Sequence, residues 1–118
     1  MEQQFSLISE IRSNRLIITT SGYVNNVGGE AIAKEFAHHF ERGTKQIVIN
    51  LAKSKVVNSI GMSFLIEIIE QLEEAGGKLV FAELDPAVEK MLAIMGLFTF
   101  AGKEPTVEAA LKSLAAGK

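Results

Sequence analysis

The side chains best suited to chemistry lie in two short segments, the adjacent imidazoles of His38 and His39 and the amide and hydroxyl of Asn58 and Ser59. Neighbouring residues on a helix point about 100 degrees apart, so the two imidazoles cannot hold one metal ion as a pair four residues apart would. The chain also lacks cysteine and shows no nucleophile beside a general base. The sequence therefore argues against an enzyme and predicts no catalytic residues, no metal site and no cofactor.

A glycine-rich loop covers residues 22–29, with glycines at positions 22, 28 and 29. A dinucleotide-binding loop needs glycines spaced as G-x-G-x-x-G directly after a strand, and this spacing is absent. We therefore predict that Gly28 and Gly29 only give the chain a sharp entry into a helix.

Ser59 stands between a polar loop, residues 53–55, and a segment in which apolar residues recur at helical spacing. Serine is a preferred N-cap, so Ser59 is predicted to cap this helix. A phosphate on such a serine would place roughly −1.5 to −2 charges beside free backbone N–H groups and the positive end of the helix dipole. The fold would therefore tolerate phosphorylation at this position.

The composition limits the classes of partner. The chain has 118 residues, a formal net charge of −2 and no basic stripe, which argues against direct binding to nucleic acid. Its longest apolar stretch, from Ile60 to Ile69, is short and is interrupted by Ser63 and Glu67. We expect one domain over residues 1–118, without membrane insertion and located in the cytoplasm.

The pattern of apolar residues predicts an α/β fold with a mixed sheet of four or five strands. An N-terminal hairpin precedes alternating helices and strands, which is typical of a mainly parallel sheet. Helix three is expected to bury Met91 and Met95, and Glu67 and Glu70 are expected to be solvated. Helices are predicted at residues 29–43, 60–75, 86–95 and 106–115, and strands through residue 12 and at 16–20, 47–51, 78–82 and 98–100.

The segment Asn58-Ser59-Ile60-Gly61 resembles the Asp-Ser-Ser/Thr-Gly signature loop of anti-sigma factor antagonists, which are STAS domains. The segment from Ser21 to Asn25 stands where that family has a Gly-Glu-Leu-Asp turn. Further similar landmarks, in the family's order and spacing, are Gly76-Gly77, Pro86-Ala87-Val88 and Met95-Gly96-Leu97-Phe98. The resemblance covers almost the whole chain and implies a STAS-like single domain with helices packed mainly on one face of the sheet.

The resemblance also implies a role in partner switching. Ser59 would be the phosphate acceptor for an anti-sigma factor serine kinase, and a PP2C-type phosphatase would remove the phosphate. The chain departs from the family at Asn25 and Asn58, where the family has Asp, and at Ile60, where it has Ser or Thr. The surface expected to bind the partner consists of the loop from Tyr23 to Val27, the loop from Val57 to Gly61 and helix two. Its expected contact residues are Tyr23, Val24, Asn25, Asn26, Asn58, Ser59, Ile60, Gly61 and Met62.

These departures leave two functions open. In the first, the protein is an antagonist that sequesters a kinase-type anti-sigma factor and thereby releases a sigma factor. In the second, it is a scaffold that never cycles phosphate, such as a subunit of an ABC transporter or of a signalling assembly. The changes at Asn25 and Asn58 make the second function a serious alternative to the first.

Overall fold

The computed structural model describes residues 4–117, which form a five-stranded sheet and four helices. Among the described residues, the strands are β1 (Ser6–Arg12), β2 (Arg15–Ser21), β3 (Gln46–Lys53), β4 (Lys78–Ala82) and β5 (Gly102–Glu104). The helices are α1 (Asn26–Phe40), α2 (Ser59–Ala75), α3 (Pro86–Ile94) and α4 (Val107–Gly117).

The strands lie in the order β1-β2-β3-β4-β5. β1 pairs with β2 as an antiparallel hairpin, and the remaining neighbours are parallel. Ser13 and Asn14 form the hairpin turn with φ of 54° and 65°, the left-handed conformation that tight two-residue hairpins require. The predicted mixed sheet with its polar N-terminal turn is confirmed.

Alternate side chains of the central strands enter two separate cores. Ile47 and Ile49 of β3 point into the larger core, which α1, α2 and α3 cover, whereas Val48 points to the opposite face. On that face Ala110 and Leu114 of α4 complete a smaller core, and Val107 and Leu111 of the same helix pack against it half-buried. Three of the four described helices thus lie on one face, as predicted.

Three sequence predictions are wrong in this part of the fold, at the ends of α1, at the edge strand and at α3. α1 begins at residue 26 and ends at residue 40, three residues earlier than predicted at each end, because Asn25 caps it and Gly28 and Gly29 lie within its first turn. A strand was predicted at residues 98–100, but a 3-10 turn, Leu97–Thr99, occupies most of that segment. The edge strand follows later, at Gly102–Glu104. The third error concerns α3.

α3 leaves two predicted core methionines exposed. The helix is only nine residues long and buries a single stripe, Val88 and Leu92. Met91 and Met95 lie outside that stripe and are 38% and 54% exposed. The chain then turns at Gly96, with φ of 85°, and Leu97 fills the core position instead.

Candidate functional site

The loops that follow β2 and β3 run side by side beyond the sheet. The Val24 N–H donates to the Val56 carbonyl oxygen at 3.0 Å, and the Asn58 N–H donates to the Val24 carbonyl oxygen at 3.1 Å. These bonds form a parallel bridge between Val24 and Val57. The bridge brings together the starts of α1 and α2, which open directly after the two loops.

Each of these helices begins with an asparagine cap. The Asn25 Oδ1 accepts hydrogen bonds from the backbone N–H groups of Val27 and Gly28 at 3.0 and 3.1 Å, and the Asn58 Oδ1 accepts one from Gly61 at 2.8 Å. Asn58, not Ser59, is therefore the N-cap of α2, and the sequence prediction is corrected. An N-cap has extended backbone, and Asn58 is held extended, with φ of −92° and ψ of −179°, where its N–H joins the bridge.

Two glycines allow the first turns of α1 and α2 to come close. A Cβ on Gly61 would lie 2.1 Å from the Val24 carbonyl oxygen, and a Cβ on Gly29 would lie 3.2 Å from the Gly61 Cα and 2.6 Å from the Phe64 ring. Neither position has room for a side chain. The backbones of the loop, α1 and α2 thus converge directly below Ser59.

The convergence also places two positive helix ends together. Neither α1 nor α2 has an acidic residue in its first turn, and both caps are uncharged amides. The exposed Lys55 has its ammonium 3.7 Å from the Asp85 carboxylate at the start of α3. Around Ser59, added negative charge would therefore face two helix dipoles that no first-turn carboxylate offsets.

Ser59 is the first residue of α2 and is exposed. Within residues 4–117, its hydroxyl has no hydrogen-bond partner. Ser63, one turn later, instead donates its hydroxyl to the Ile60 carbonyl oxygen at 2.6 Å. The Ser59 hydroxyl is thus accessible to an approaching protein.

The structure divides the nine predicted partner-binding residues into three groups. Tyr23, Asn26, Ser59 and Ile60 are exposed, with Tyr23 at 45% and Ile60 at 52%. Asn25 and Asn58 are half-buried because their side chains cap the helices. The remaining three, Val24, Gly61 and Met62, are buried and support the loops from beneath.

Two further exposed apolar residues lie at the same end of the fold, Val27 in the predicted partner-binding loop and Val56, which sequence reasoning missed. Val27 in the first turn of α1 is 62% exposed, and Val56 beside the bridge is 52% exposed. Val56 precedes the buried Val57 in extended backbone, where successive side chains point in opposite directions. That alternation was the available signal, and it places one valine of the pair on the surface.

The histidines contribute to structure at a distance from this site. The His39 Nε2 lies 3.1 Å from the Glu35 carboxylate, which also accepts a hydrogen bond from the Ser9 hydroxyl at 2.5 Å. Among residues 4–117, no group of three or more His, Cys, Asp or Glu side chains is placed to hold a metal ion. No helix in this described range has the length and apolar character needed to cross a membrane.

Comparison with known proteins points to one family. The model of the STAS domain family matches residues 6–110. BtrV of Bordetella bronchiseptica, named as an anti-sigma factor antagonist, is 29% identical over 101 residues, which are 83% of this chain and 87% of BtrV.

Solved structures share the fold. A Thermotoga maritima protein solved at 1.59 Å has a TM-score of 0.85 at 15% identity, covering 92% of this chain and 94% of that chain. SpoIIAA of Bacillus in its unphosphorylated form has a TM-score of 0.79 at 19% identity, covering 96% and 98%. From the family match over residues 6–110 and this shared fold, we conclude that the chain belongs to the STAS domain family.

Proposed function

We propose that this protein is an anti-sigma factor antagonist that acts by binding a partner protein and not by catalysis. The proposal depends on one observation, the exposed Ser59 hydroxyl beside two converging helix N-termini whose first turns contain no carboxylate. The name of BtrV supports it, since that relative covers most of this chain. We call the proposed contact area the Ser59 surface, which comprises Tyr23, Asn26, Val27, Val56, Ser59 and Ile60.

The Ser59 surface combines apolar contact area with a single modifiable hydroxyl. Its four large apolar side chains, Tyr23, Val27, Val56 and Ile60, are each at least 45% exposed. Exposed apolar side chains that gather in one region are typical of a protein-binding site, and aromatic residues such as Tyr23 are enriched in such interfaces. A partner would bury these side chains and desolvate Ser59.

The partner is proposed to be a kinase-type anti-sigma factor. In the proposed transfer, the Ser59 oxygen bonds to the γ-phosphorus of ATP held by the partner, ADP departs, and the hydroxyl proton passes to a base of the partner. A PP2C-type phosphatase would hydrolyse the phosphoserine. SpoIIAA, which shares the fold, has been solved in both unphosphorylated and phosphorylated forms.

Phosphorylation would act at the interface more than on the fold. The two helix ends stabilise an added dianion while it stays in water. A partner that covers Ser59 would have to remove that dianion from water, which is costly without a matching positive charge. The phosphorylated form is therefore proposed to release its partner.

Mass spectrometry of the protein purified from its own cells, together with identification of co-purified proteins, tests the proposal. We expect phosphate on Ser59 and recovery of a serine kinase. In binding measurements with that kinase, Ser59→Asp should weaken the complex and Ser59→Ala should preserve it. Ser63→Ala is the matched control, because Ser63 lies on the same helix with its hydroxyl bonded internally. An unmodified chain recovered with transporter or scaffold subunits would support the scaffold function instead.

A further inference from the structure

A pair of buried hydroxyls joins β2 to the loop after β3, just before both chains leave the sheet. The Thr20 Oγ1 and Ser54 Oγ atoms lie 2.6 Å apart, and the two residues are 1% and 0% exposed. Ser54 stands between Lys53 and Lys55 in a segment whose sequence predicts a polar loop, so its burial is unexpected from the sequence. Its position next to the Ser59 loop suggests a role for this pair.

The pair lies where the regular strand register ends. Thr19 pairs with Asn50, but Ser21 pairs with Lys53, so β3 contains one more residue than β2 across this step. Such a bulge interrupts the ladder of backbone hydrogen bonds. The Thr20 hydroxyl is 3.4 Å from the Asn50 carbonyl oxygen, so it bonds at the same point to the backbone of β3.

The remaining polar groups of the bulge are bonded locally. The Asn50 Oδ1 accepts a hydrogen bond from the Ala52 N–H at 2.9 Å, and the Ser54 N–H donates to the Leu51 carbonyl oxygen at 3.0 Å. If Thr20 donates to Asn50, Ser54 must donate to Thr20, since each hydroxyl has one proton. The two side chains thereby fix which residue of the β3 loop stands opposite Thr20.

From this point the two chains run in parallel to the helix caps. The Gly22 N–H bonds to the Lys53 carbonyl oxygen at 3.0 Å, and the Val24–Val57 bridge follows. Ser59 is five residues beyond Ser54, and Asn25 is five residues beyond Thr20. A slip between Thr20 and Ser54 would shift the bridge, and with it the relative position of the two caps.

We propose that Thr20 and Ser54 are positioning residues that fix the bridge and thereby present Ser59 to its partner. An apolar pair could fill the same space but would not specify the pairing. The structural part of this inference stands without the proposed function. Its consequence for phosphorylation rests on that function.

Hydrogen exchange of backbone amides tests the structural part directly. In the double variant Thr20→Val/Ser54→Ala, neither hydroxyl is left buried without a partner, so global stability should change little. We expect the amides of Val24 and Asn58 to exchange at least tenfold faster, while those of Ile49 and Val80 keep their rates. Thr19→Val is the matched control, because Thr19 is on the same strand but outside the pair. Thr20→Ser retains the hydroxyl and should keep exchange slow.

Equal acceleration of all four amides, or no change at Val24 and Asn58, would overturn the positioning role. If a kinase partner is identified, the double variant should also be phosphorylated at least fivefold more slowly than Thr19→Val. If the double variant exchanges rapidly at Val24 and Asn58 but is phosphorylated at the normal rate, the link between the hydroxyl pair and Ser59 is refuted. Absence of any phosphorylation in the unaltered protein, with the expected exchange result, would refute the proposed switch and leave the structural role in place.

Discussion

The Val24 carbonyl oxygen lies 2.1 Å from the point that a Cβ on Gly61 would occupy. That oxygen also accepts the Asn58 N–H bond of the bridge, so it cannot move without breaking the link between the two loops. The last position of the Asn-Ser-Ile-Gly segment therefore requires glycine for a steric reason. It lets the first turn of α2 pack directly against the loop after β2.

Gly61→Ala should consequently be among the most harmful single-methyl additions in this chain. Overpacking typically costs about 1–3 kcal/mol, and the contact with fixed backbone places this change at the upper end or beyond. Urea unfolding would measure the loss. Gly102→Ala is the control, because a Cβ there would meet Val80 at an ordinary 3.4 Å and should cost under about 1 kcal/mol. Equal losses in the two variants would contradict the steric explanation.

The inward face of α2 supports a second prediction. Leu65 and Ile68 are 0% and 1% exposed, whereas Glu70 is exposed. Leu65→Ala or Ile68→Ala should lower the free energy of unfolding by about 2–4 kcal/mol, because each leaves a cavity in the larger core. Glu70→Ala should change it by less than about 0.5 kcal/mol. Comparable urea midpoints for all three variants would reverse this assignment of faces.

The sequence predicted the order of strands and helices better than their exact bounds and buried residues. Apolar periodicity was sufficient for α2, whose buried stripe includes Leu65 and Ile68, and for β3, whose core residues continue on both faces. Apolar periodicity gave the wrong buried residues for α3, because this nine-residue helix buries only Val88 and Leu92. The spacing of apolar residues does not show how much of the helix the sheet covers. Met95 therefore matched the helical spacing but not the available core.

The helix start and the buried hydroxyls show a different limit. Asparagine and serine are nearly equivalent caps, so the choice between Asn58 and Ser59 depends on which residue is held extended. That is decided by a bond to Val24, which is 34 residues earlier in the chain. The burial of Ser54 likewise depends on Thr20 across the sheet. Neither partner is visible in local sequence patterns.

The Glu35 carboxylate gives a prediction about pH. The hydrogen bond from the Ser9 hydroxyl lowers the pKa of Glu35 below its ordinary value of 4.5, partial burial opposes this, and His39 lowers it further. Because the folded pKa is below the unfolded pKa, the unfolded state binds more protons in this range. The contribution to stability is complete above about pH 5 and is lost as the pH falls through the folded pKa.

Ser9→Ala removes the largest of these effects and should raise the pKa of Glu35 towards its ordinary value. Unfolding by urea at pH 7, 5, 4 and 3 should then show a shallower loss of stability on acidification than in the unaltered protein. Glu35→Gln removes the titrating group and should give a similarly shallow curve. Parallel curves for all three proteins would contradict the contribution of the Ser9–Glu35 hydrogen bond to stability.

The asparagine caps lead to a prediction about charge at the Ser59 surface. Asn58→Ala should cost about 1 kcal/mol through loss of the bond to the Gly61 N–H. Asn58→Asp keeps an acceptor and adds a negative charge at the helix end, which should stabilise the fold by about 0.3–1 kcal/mol at low salt. Thermal unfolding at low and high ionic strength would show whether the gain is screened as expected.

The last prediction joins that charge to the proposed switch. Ser59→Asp alone should be tolerated or slightly stabilising, because no first-turn carboxylate already offsets the positive ends of the helix dipoles at this site. Combined with Asn58→Asp, it places two carboxylates on adjacent residues, so the combined gain should be smaller than the sum of the two. A double-mutant cycle measures this coupling, and additive effects would show that the two charges do not interact.

In binding to a kinase partner, Asn25→Asp and Asn58→Asp should strengthen recognition, since they restore the carboxylates of the similar signature loop beside an unmodified serine. A weaker complex would instead indicate that the neutral amides are themselves part of the contact.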